Sequence, residues 1–185
     1  MPQLSLFLES SYNIVGSYFE EGEFGPHLRN FHGPYLYMSG HFYIGQYLWG
    51  KKNGLGIEII NAGDKFEGNF VNDKREGEGR LFHENGDIYI GFFRNNLIHG
   101  QGKLIQISNG TVYEGMFKGN TKNGKGKETY SKTSYYEGDF KGGVKHGEGI
   151  HVLSENHFIL GQFKNGLAHG KGKTIDLMAL GRERR

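Results

Sequence analysis

The chain has no cysteine, only 3 prolines and almost no net charge. Without cysteine it has no disulfide, no thiolate metal ligand and no cysteine nucleophile, which fits a reducing compartment. Its 22 basic and 20 acidic residues give a net charge of +2. A nucleic-acid binder would instead concentrate an excess of Lys and Arg on one face. We therefore predict that the protein does not bind nucleic acid.

Long apolar runs and a basic N-terminal region are also missing from the sequence. None of the apolar stretches approaches the roughly 20 residues that a helix needs to span a bilayer. The first basic residue is Arg29, so the N-terminus resembles neither a secretory signal nor a mitochondrial leader. These features predict a soluble cytoplasmic protein.

Glycine is the abundant residue, with 32 copies, and 14% of the chain is aromatic. Glycines recur every 23 residues, with one spacing of 24. We call these recurring glycines the anchors. An aromatic residue lies two positions after each anchor, and two more glycines, the glycine pair, lie 9 and 11 positions after the anchor. The anchors, predicted to be structural glycines, are Gly45, Gly68, Gly91, Gly115, Gly138 and Gly161. Such a period predicts an array of one small unit stacked on itself.

Each unit is predicted to be a β-hairpin. Tyr89, Gly91 and Phe93 alternate along one strand and therefore share a face of it. The turn that follows contains residues that tolerate positive φ at both central positions, as a tight hairpin turn requires. These turn pairs are Asn72-Asp73, Asn95-Asn96, Gly119-Asn120, Gly142-Gly143 and Asn165-Gly166.

The predicted fold is all-β: an elongated, single-layer antiparallel sheet of stacked hairpins, roughly 60–70 Å long if strands are about 4.8 Å apart. Six good repeats occupy residues 43–173. A degenerate repeat at 19–42 precedes them, in a register set by either Gly22 or Gly16. Residues 1–18 are predicted to be an N-terminal cap or edge strand. Residues 174–185 are predicted to be a C-terminal cap, with one short helix at 177–180, and a basic tail.

Aromatic residues at two positions per repeat are predicted to pack on the flat patch that the anchor and the glycine pair leave, as at Gly45, Gly54 and Gly56. This aromatic ladder consists of Tyr43, Tyr47, Phe66, Phe70, Tyr89, Phe93, Tyr113, Phe117, Tyr136, Phe140 and Phe163. Stacking between units is one role for these rings, and each aromatic pair can add roughly 0.5–1.5 kcal/mol. Because a single layer cannot bury both of its faces, the other role is a groove that binds a partner protein.

Basic residues cluster near the turns and the glycine pairs. This basic strip consists of Lys51, Lys52, Lys74, Arg75, Lys122, Lys125, Lys127 and Lys145. One interpretation is a solvated edge that prevents sideways strand pairing. The other is a surface for anionic lipid or an acidic partner.

Motifs that would carry catalysis or metal binding are incomplete. Gly172-Lys173-Thr174 resembles the end of a phosphate-binding loop, but residue 167 is leucine where that loop requires glycine. Histidines recur before the first paired glycine, but equivalent positions lie about 10 Å apart, whereas zinc ligands lie about 2.0–2.1 Å from the ion. The sequence predicts no catalytic residue, no metal site and no cofactor.

The repeat unit closely resembles the MORN repeat (membrane occupation and recognition nexus). Residues 136–140, Tyr-Glu-Gly-Asp-Phe, followed by His-Gly-Glu-Gly at 146–149, are a near-complete match, and the resemblance covers residues 43–173 well. Two features depart from the family pattern: Tyr47 or phenylalanine replaces the frequent tryptophan, and Ile159 replaces an aromatic. The resemblance implies a non-enzymatic protein-binding scaffold that grips a helix or an extended segment within a large complex. Such complexes include ciliary, axonemal (radial-spoke) and cytoskeletal assemblies. Membrane-lipid binding is the second implication.

Overall fold

The computed structural model describes residues 31–37, 39–60 and 63–182. The predicted cap at 1–18 and the first part of the degenerate repeat lie outside the described residues. The strands are β1 (Phe31–Leu36), β2 (Phe42–Leu48), β3 (Lys51–Ile59), β4 (Lys65–Val71), β5 (Lys74–Phe82), β6 (Ile88–Arg94), β7 (Leu97–Gln106), β8 (Thr111–Lys118), β9 (Thr121–Thr129), β10 (Tyr135–Lys141), β11 (Val144–Ser154), β12 (His157–Lys164) and β13 (Leu167–Asp176). One helix, α1 (Leu177–Arg182), follows them.

The strands form an open antiparallel sheet of stacked β-hairpins, and within each of the two units named below consecutive strands are neighbours. The predicted all-β class is therefore confirmed. The chain divides into two compact parts, each of several repeats: Met1–Leu97 and Ile98–Arg185. From here on we call these two parts, and not the single repeats, the first and the second unit. In each unit the glycines of successive strands face one another in the register, as in Gly56↔Gly68 and Gly126↔Gly138. A row of glycines therefore crosses the strands in each unit.

The tight turns have the predicted backbone conformation. Asn72 and Asp73 have φ of 48° and 67°, and Asn95 and Asn96 have φ of 49° and 68°. Each turn also bonds to the preceding hairpin, since the backbone N–H of Asp73 donates to the carbonyl of Lys52 at 3.0 Å. The turns therefore close their own hairpin and attach it to the previous one.

The sequence analysis predicted the same role for both glycines of each pair, but in the structure the two glycines have different roles. Gly54 has φ of 89°, and its missing Cβ would meet the side chain of Gln46, not a ring. The strand register shifts at this point, so positive φ explains this glycine. Gly56, the second of the pair, lies under the ring of Tyr43. The prediction that Gly54 also forms part of the flat patch is wrong.

Helix α1 confirms the predicted C-terminal helix. Oδ1 of Asp176 accepts hydrogen bonds from the backbone N–H groups of Met178 at 2.9 Å and Ala179 at 3.3 Å. This is the arrangement of an N-cap, which satisfies donors that the first turn leaves without intrahelical partners. The carboxylate explains why the helix begins directly after β13.

Candidate functional site

The predicted aromatic ladder lies on one face of the sheet, which we call the ring face. All eleven rings are at most 5% exposed. Rings of successive hairpins meet edge to face, with centroids 5.1 Å apart for Tyr43 and Phe70, and 4.9 Å apart for Tyr136 and Phe163. This geometry favours stacking between hairpins as the role of the rings. A direct partner contact through them stays a prediction.

The first ring of a repeat, which the sixth repeat lacks because it has Ile159, covers the glycines of its own hairpin. A Cβ added at Gly149 would lie 2.5–2.7 Å from the Oη, Cζ and Cε2 atoms of Tyr136. The Tyr136 hydroxyl donates to the carbonyl of Asp139 at 3.0 Å, so burial leaves this polar group satisfied. Burial raises the pKa of Tyr136 to about 12, and the phenol therefore stays neutral. The predicted seating of these first rings over bare backbone is confirmed.

Charged side chains share the ring face with the aromatics. Glu58 pairs with Lys52 of its own hairpin at 2.5 Å and with Arg75 of the next hairpin at 2.8 Å. Burial opposes ionisation of Glu58, but the hydrogen bonds from Lys52 and Arg75 lower its pKa overall. Lys122 pairs with Glu128 in the same way. The second unit thus repeats an arrangement found in the first.

The predicted basic strip is divided between the two faces of the sheet. Four of its members lie over aromatic rings on the ring face, and two others pair with acidic residues on the opposite face. The ring-face members are Lys52, Arg75, Lys122 and Lys145. The opposite-face members are Lys125 and Lys127, and the remaining Lys51 and Lys74 flank turns. Alternation along each strand sends neighbouring lysines to different faces, so these residues do not form one strip.

A groove lies on the face opposite the rings in the second unit, and we call this the groove face. Its volume is about 920 Å³, and none of the eleven ladder rings lines it. The glycine row forms its floor, at Gly115, Gly126, Gly138, Gly149 and Gly161. The side chains before and after each glycine point to this face and form the two walls, because alternate residues of a strand share a face.

Ion pairs make up part of the groove walls. Lys125 Nζ lies 2.8 Å from Oδ1 of Asp139, and Lys127 Nζ lies 3.3 Å from Oε2 of Glu137. Burial opposes ionisation of Asp139, but the hydrogen bond from Lys125 and that from the backbone N–H of Glu148 lower its pKa overall. The charges that line the groove are Glu114, Glu137, Glu148, Lys125, Lys127 and Lys171. Three of these are acids and three are bases, and Asp139, which pairs with Lys125, is a fourth acid in the walls, so charges of both signs line the groove.

Apolar side chains complete the walls. Met116 is 40% exposed and Leu160 is 48% exposed, and Ile150 lies between β10 and β12 on the same face. Sequence reasoning missed these residues because it followed the rings. Their signal in the sequence is their position, directly beside the glycine that each strand contributes to the row.

In the part of the chain that the structure describes, the recurring histidines do not belong to a cluster of metal-binding side chains. His146 and His169 line a small second cavity with Gln162 and Phe163. Among residues 31–37, 39–60 and 63–182, there is no group of three or more His, Cys, Asp or Glu that could hold a metal ion. Within the same ranges, no helix has the length and apolar character needed to cross a membrane.

Comparison with known proteins agrees with this geometry. The family model for the MORN repeat matches at residues 43–65, 66–88, 89–111, 113–135, 136–154 and 160–175. These segments begin close to the strands β2, β4, β6, β8, β10 and β12, so each match corresponds to one hairpin. A search of curated proteins found no match. With more than half of its residues matched, the chain belongs to the MORN repeat family.

Proposed function

We propose that this chain is a non-enzymatic structural scaffold that holds a segment of a partner protein in the groove of its second unit. MORN repeats are an all-β, non-enzymatic repeat type and serve as protein- or membrane-binding modules. The observation that carries the proposal is a groove with a backbone floor and three partly exposed apolar residues among the charged pairs of its walls. An apolar surface bordered by polar residues is typical of a partner surface.

The width of the groove selects the shape of its occupant. On each strand the residue before the glycine belongs to one wall and the residue after it belongs to the other. These two residues are two positions apart, so the walls are separated by about 6.8 Å along the strand. An α-helix with its side chains is about 10–12 Å wide and does not reach such a floor. An extended segment does, and it would lie across the strands. Met116 on one wall and Leu160 on the other would contact its apolar side chains.

The test compares one double variant of the groove with a matched variant outside the groove. Met116→Asp with Leu160→Asp places two carboxylates on the walls, whereas Val144→Asp changes a 43% exposed residue that does not line the groove. Each tagged full-length protein is crosslinked in native cells through a photoreactive residue at Gln162, and its adducts are sequenced. A protein segment that crosslinks to the wild type and to Val144→Asp, but at least tenfold less to the groove variant, supports the proposal.

Equal crosslinking of all three proteins would place the contact elsewhere, on condition that their thermal midpoints agree. The alternative function is a membrane-contact adaptor that binds anionic phospholipid through the lysines of one face of the sheet. Sedimentation with phosphatidylserine vesicles tests this alternative, and binding that the groove variant retains in full would favour it over the scaffold.

An axonemal or other cytoskeletal assembly, of the radial-spoke kind, is the proposed setting. This part of the proposal is supported by resemblance to family members alone. Immunofluorescence of the tagged protein in ciliated cells tests it. Signal along the axoneme is the expected result, and a diffuse or membrane-bound signal would contradict it.

A further inference from the structure

The ring face holds a carboxylate at the same place in two repeats. Glu58 occupies this place in the first repeat, between Lys52 and Arg75. Glu128 occupies it in the fourth repeat, where it pairs with Lys122 and accepts a hydrogen bond from the Tyr130 hydroxyl at 2.8 Å. In both repeats the carboxylate lies six residues after the first cation. Lys52 and Lys122 are therefore neutralised within their own hairpins, whereas Arg75 is neutralised by Glu58 of the preceding hairpin.

The fifth repeat lacks this carboxylate. His151 stands at the equivalent position, six residues after Lys145. The Lys145 Nζ lies 3.1 Å from Nε2 and 3.3 Å from Nδ1 of His151. Within the described residues, Lys145 has no carboxylate oxygen within 4.0 Å, unlike Lys52 and Lys122. Lys145 is thus a partly buried cation without a direct anionic partner.

Two aromatic rings and one more distant carboxylate surround Lys145. Its Nζ lies 5.0 Å from the ring centre of Tyr130 and 5.3 Å from that of Tyr136. Burial lowers the pKa of Lys145, and burial together with Lys145 lowers that of His151, while Glu128 of the preceding hairpin acts in the opposite direction on both groups. A carboxylate beside these two groups would offset both effects, since an opposite charge favours the ionised form.

The last repeat leaves space beside His151. The position that holds Arg75 next to Glu58 is held by Ala168 next to His151, and Ala168 is exposed. His151 pairs with Ile159 on the next strand, and Ile159 pairs in turn with Thr174, which is exposed as well. A small side chain, Ala168, therefore stands where a long cation would otherwise cover the site, and a second small side chain lies beside it.

We propose that Lys145 and His151 form a binding site for a carboxylate that a partner protein supplies, either from an Asp or Glu side chain or from its C-terminus. The external carboxylate would occupy, relative to Lys145, the place that Glu58 has relative to Lys52. The site lies on the ring face, so it is separate from the groove and independent of the proposed extended occupant.

The test uses acetate as the probe. In one variant, His151→Glu, the chain itself supplies the carboxylate. Acetate is titrated at constant ionic strength and pH 7.5 into the full chain, while NMR follows the Cε1–H signal of His151 and the Cε–H signals of Lys145. We expect a saturable shift in the wild type and at least a tenfold weaker response in Lys145→Gln. His151→Glu should remove the acetate response at Lys145 and raise the thermal midpoint, because it restores the arrangement of the fourth repeat.

The matched control is Lys127→Gln, which removes a groove-face lysine and should leave the acetate response unchanged. A wild type that shows no saturable shift would overturn the proposal, as would a His151→Glu protein that responds like the wild type. Because His151→Glu adds a favourable pair, its result stands even if Lys145→Gln fails to fold. Shifts with phosphatidylserine vesicles but not with acetate would assign the site to a lipid headgroup instead and would also overturn it.

Discussion

Asn96 joins its own turn to Arg75 of the preceding hairpin by two hydrogen bonds. Its backbone N–H donates to the carbonyl of Arg75 at 3.1 Å, and its side-chain Oδ1 accepts from the backbone N–H of Arg75 at 2.8 Å. Asp73 makes the same pair of bonds with Lys52. At Gly143 only the backbone bond, to Lys122, can form. The side chain at this turn position therefore sets how firmly one hairpin holds the next.

Exchanging asparagine and glycine at this position should change stability in opposite directions. Asn96→Gly leaves the Arg75 N–H without its side-chain acceptor, and we expect a net cost of about 0.5 kcal/mol, because glycine adopts the φ of 68° easily and offsets part of the lost hydrogen bond. Gly143→Asn supplies an acceptor for the N–H of Lys122, and because asparagine tolerates positive φ, as Asn96 does, we expect a net gain of about 0.5 kcal/mol. Urea unfolding of both variants measures these changes. A destabilised Gly143→Asn would contradict the assigned role of the side chain.

The buried pairs of Glu58 should matter far more than exposed pairs on the groove face. Glu58→Gln leaves Lys52 and Arg75 without their shared carboxylate, which should cost about 3 kcal/mol, because removing one partner strands a buried charge. Glu137→Gln breaks the exposed pair with Lys127 and should cost less than about 1 kcal/mol. Equal losses in thermal midpoint for the two variants would show that ring-face burial does not strengthen these pairs.

A methyl group at a glycine under a ring should destabilise the chain more than one at a turn glycine. Gly149→Ala would force the new Cβ to within 2.7 Å of the Tyr136 ring, and overpacking of this kind costs about 3 kcal/mol. Gly142→Ala, the control, meets no atom within 4 Å but has φ of 58°, so we expect a cost of about 1 kcal/mol. Denaturation midpoints compare the two. If both variants lose the same stability, the ring contact is not what excludes the side chain.

Protonation of His151 should weaken the fold in mildly acidic solution. Burial and Lys145 lower its pKa from 6.5 in the folded chain, while the more distant Glu128 opposes this; Tyr130 and Tyr136 are the other groups that face it. The unfolded chain therefore takes up the proton first, and the free energy of unfolding decreases as pH falls below about 6.5.

Urea unfolding at pH 7.5 and at pH 5.5 measures this effect, with His151→Gln as the control that cannot titrate at that position. The lowered pKa values of Glu58 and Asp139 act only below about pH 4.5, outside this window. Identical losses for the wild type and His151→Gln would show that His151 does not contribute.

Sequence reasoning predicted the local structure of the repeat well, because local backbone chemistry controls it. Asn95 and Asn96 predict a turn with two positive φ angles, and the structure has it. Tyr136 and Gly149 predict a ring on bare backbone, and this contact is present as well. Both predictions use only the residues of one hairpin and the preferences of glycine and asparagine, which depend little on the rest of the chain.

The position of the groove was not predictable in the same way. The rings of Phe140 and Phe163 suggested an aromatic groove, but each ring is covered by a tyrosine of the preceding hairpin. That coverage depends on how closely successive hairpins approach, which one repeat does not specify. The open surface is therefore on the other face, where Met116 and Leu160 have no equivalent cover.

The sequence by itself determined the repeat, its turns and the seating of rings on glycine, because these follow from residues close together in one hairpin. The tertiary structure decided how the charges are distributed. Glu58 meets Arg75 from 17 residues away, whereas Lys145 meets His151 in its own hairpin and, among the described residues, has no carboxylate oxygen within 4.0 Å. The physical reason is that alternation along a strand only sets the face on which a lysine lies. The approach of the next hairpin decides whether that lysine meets a carboxylate, a ring or an open site.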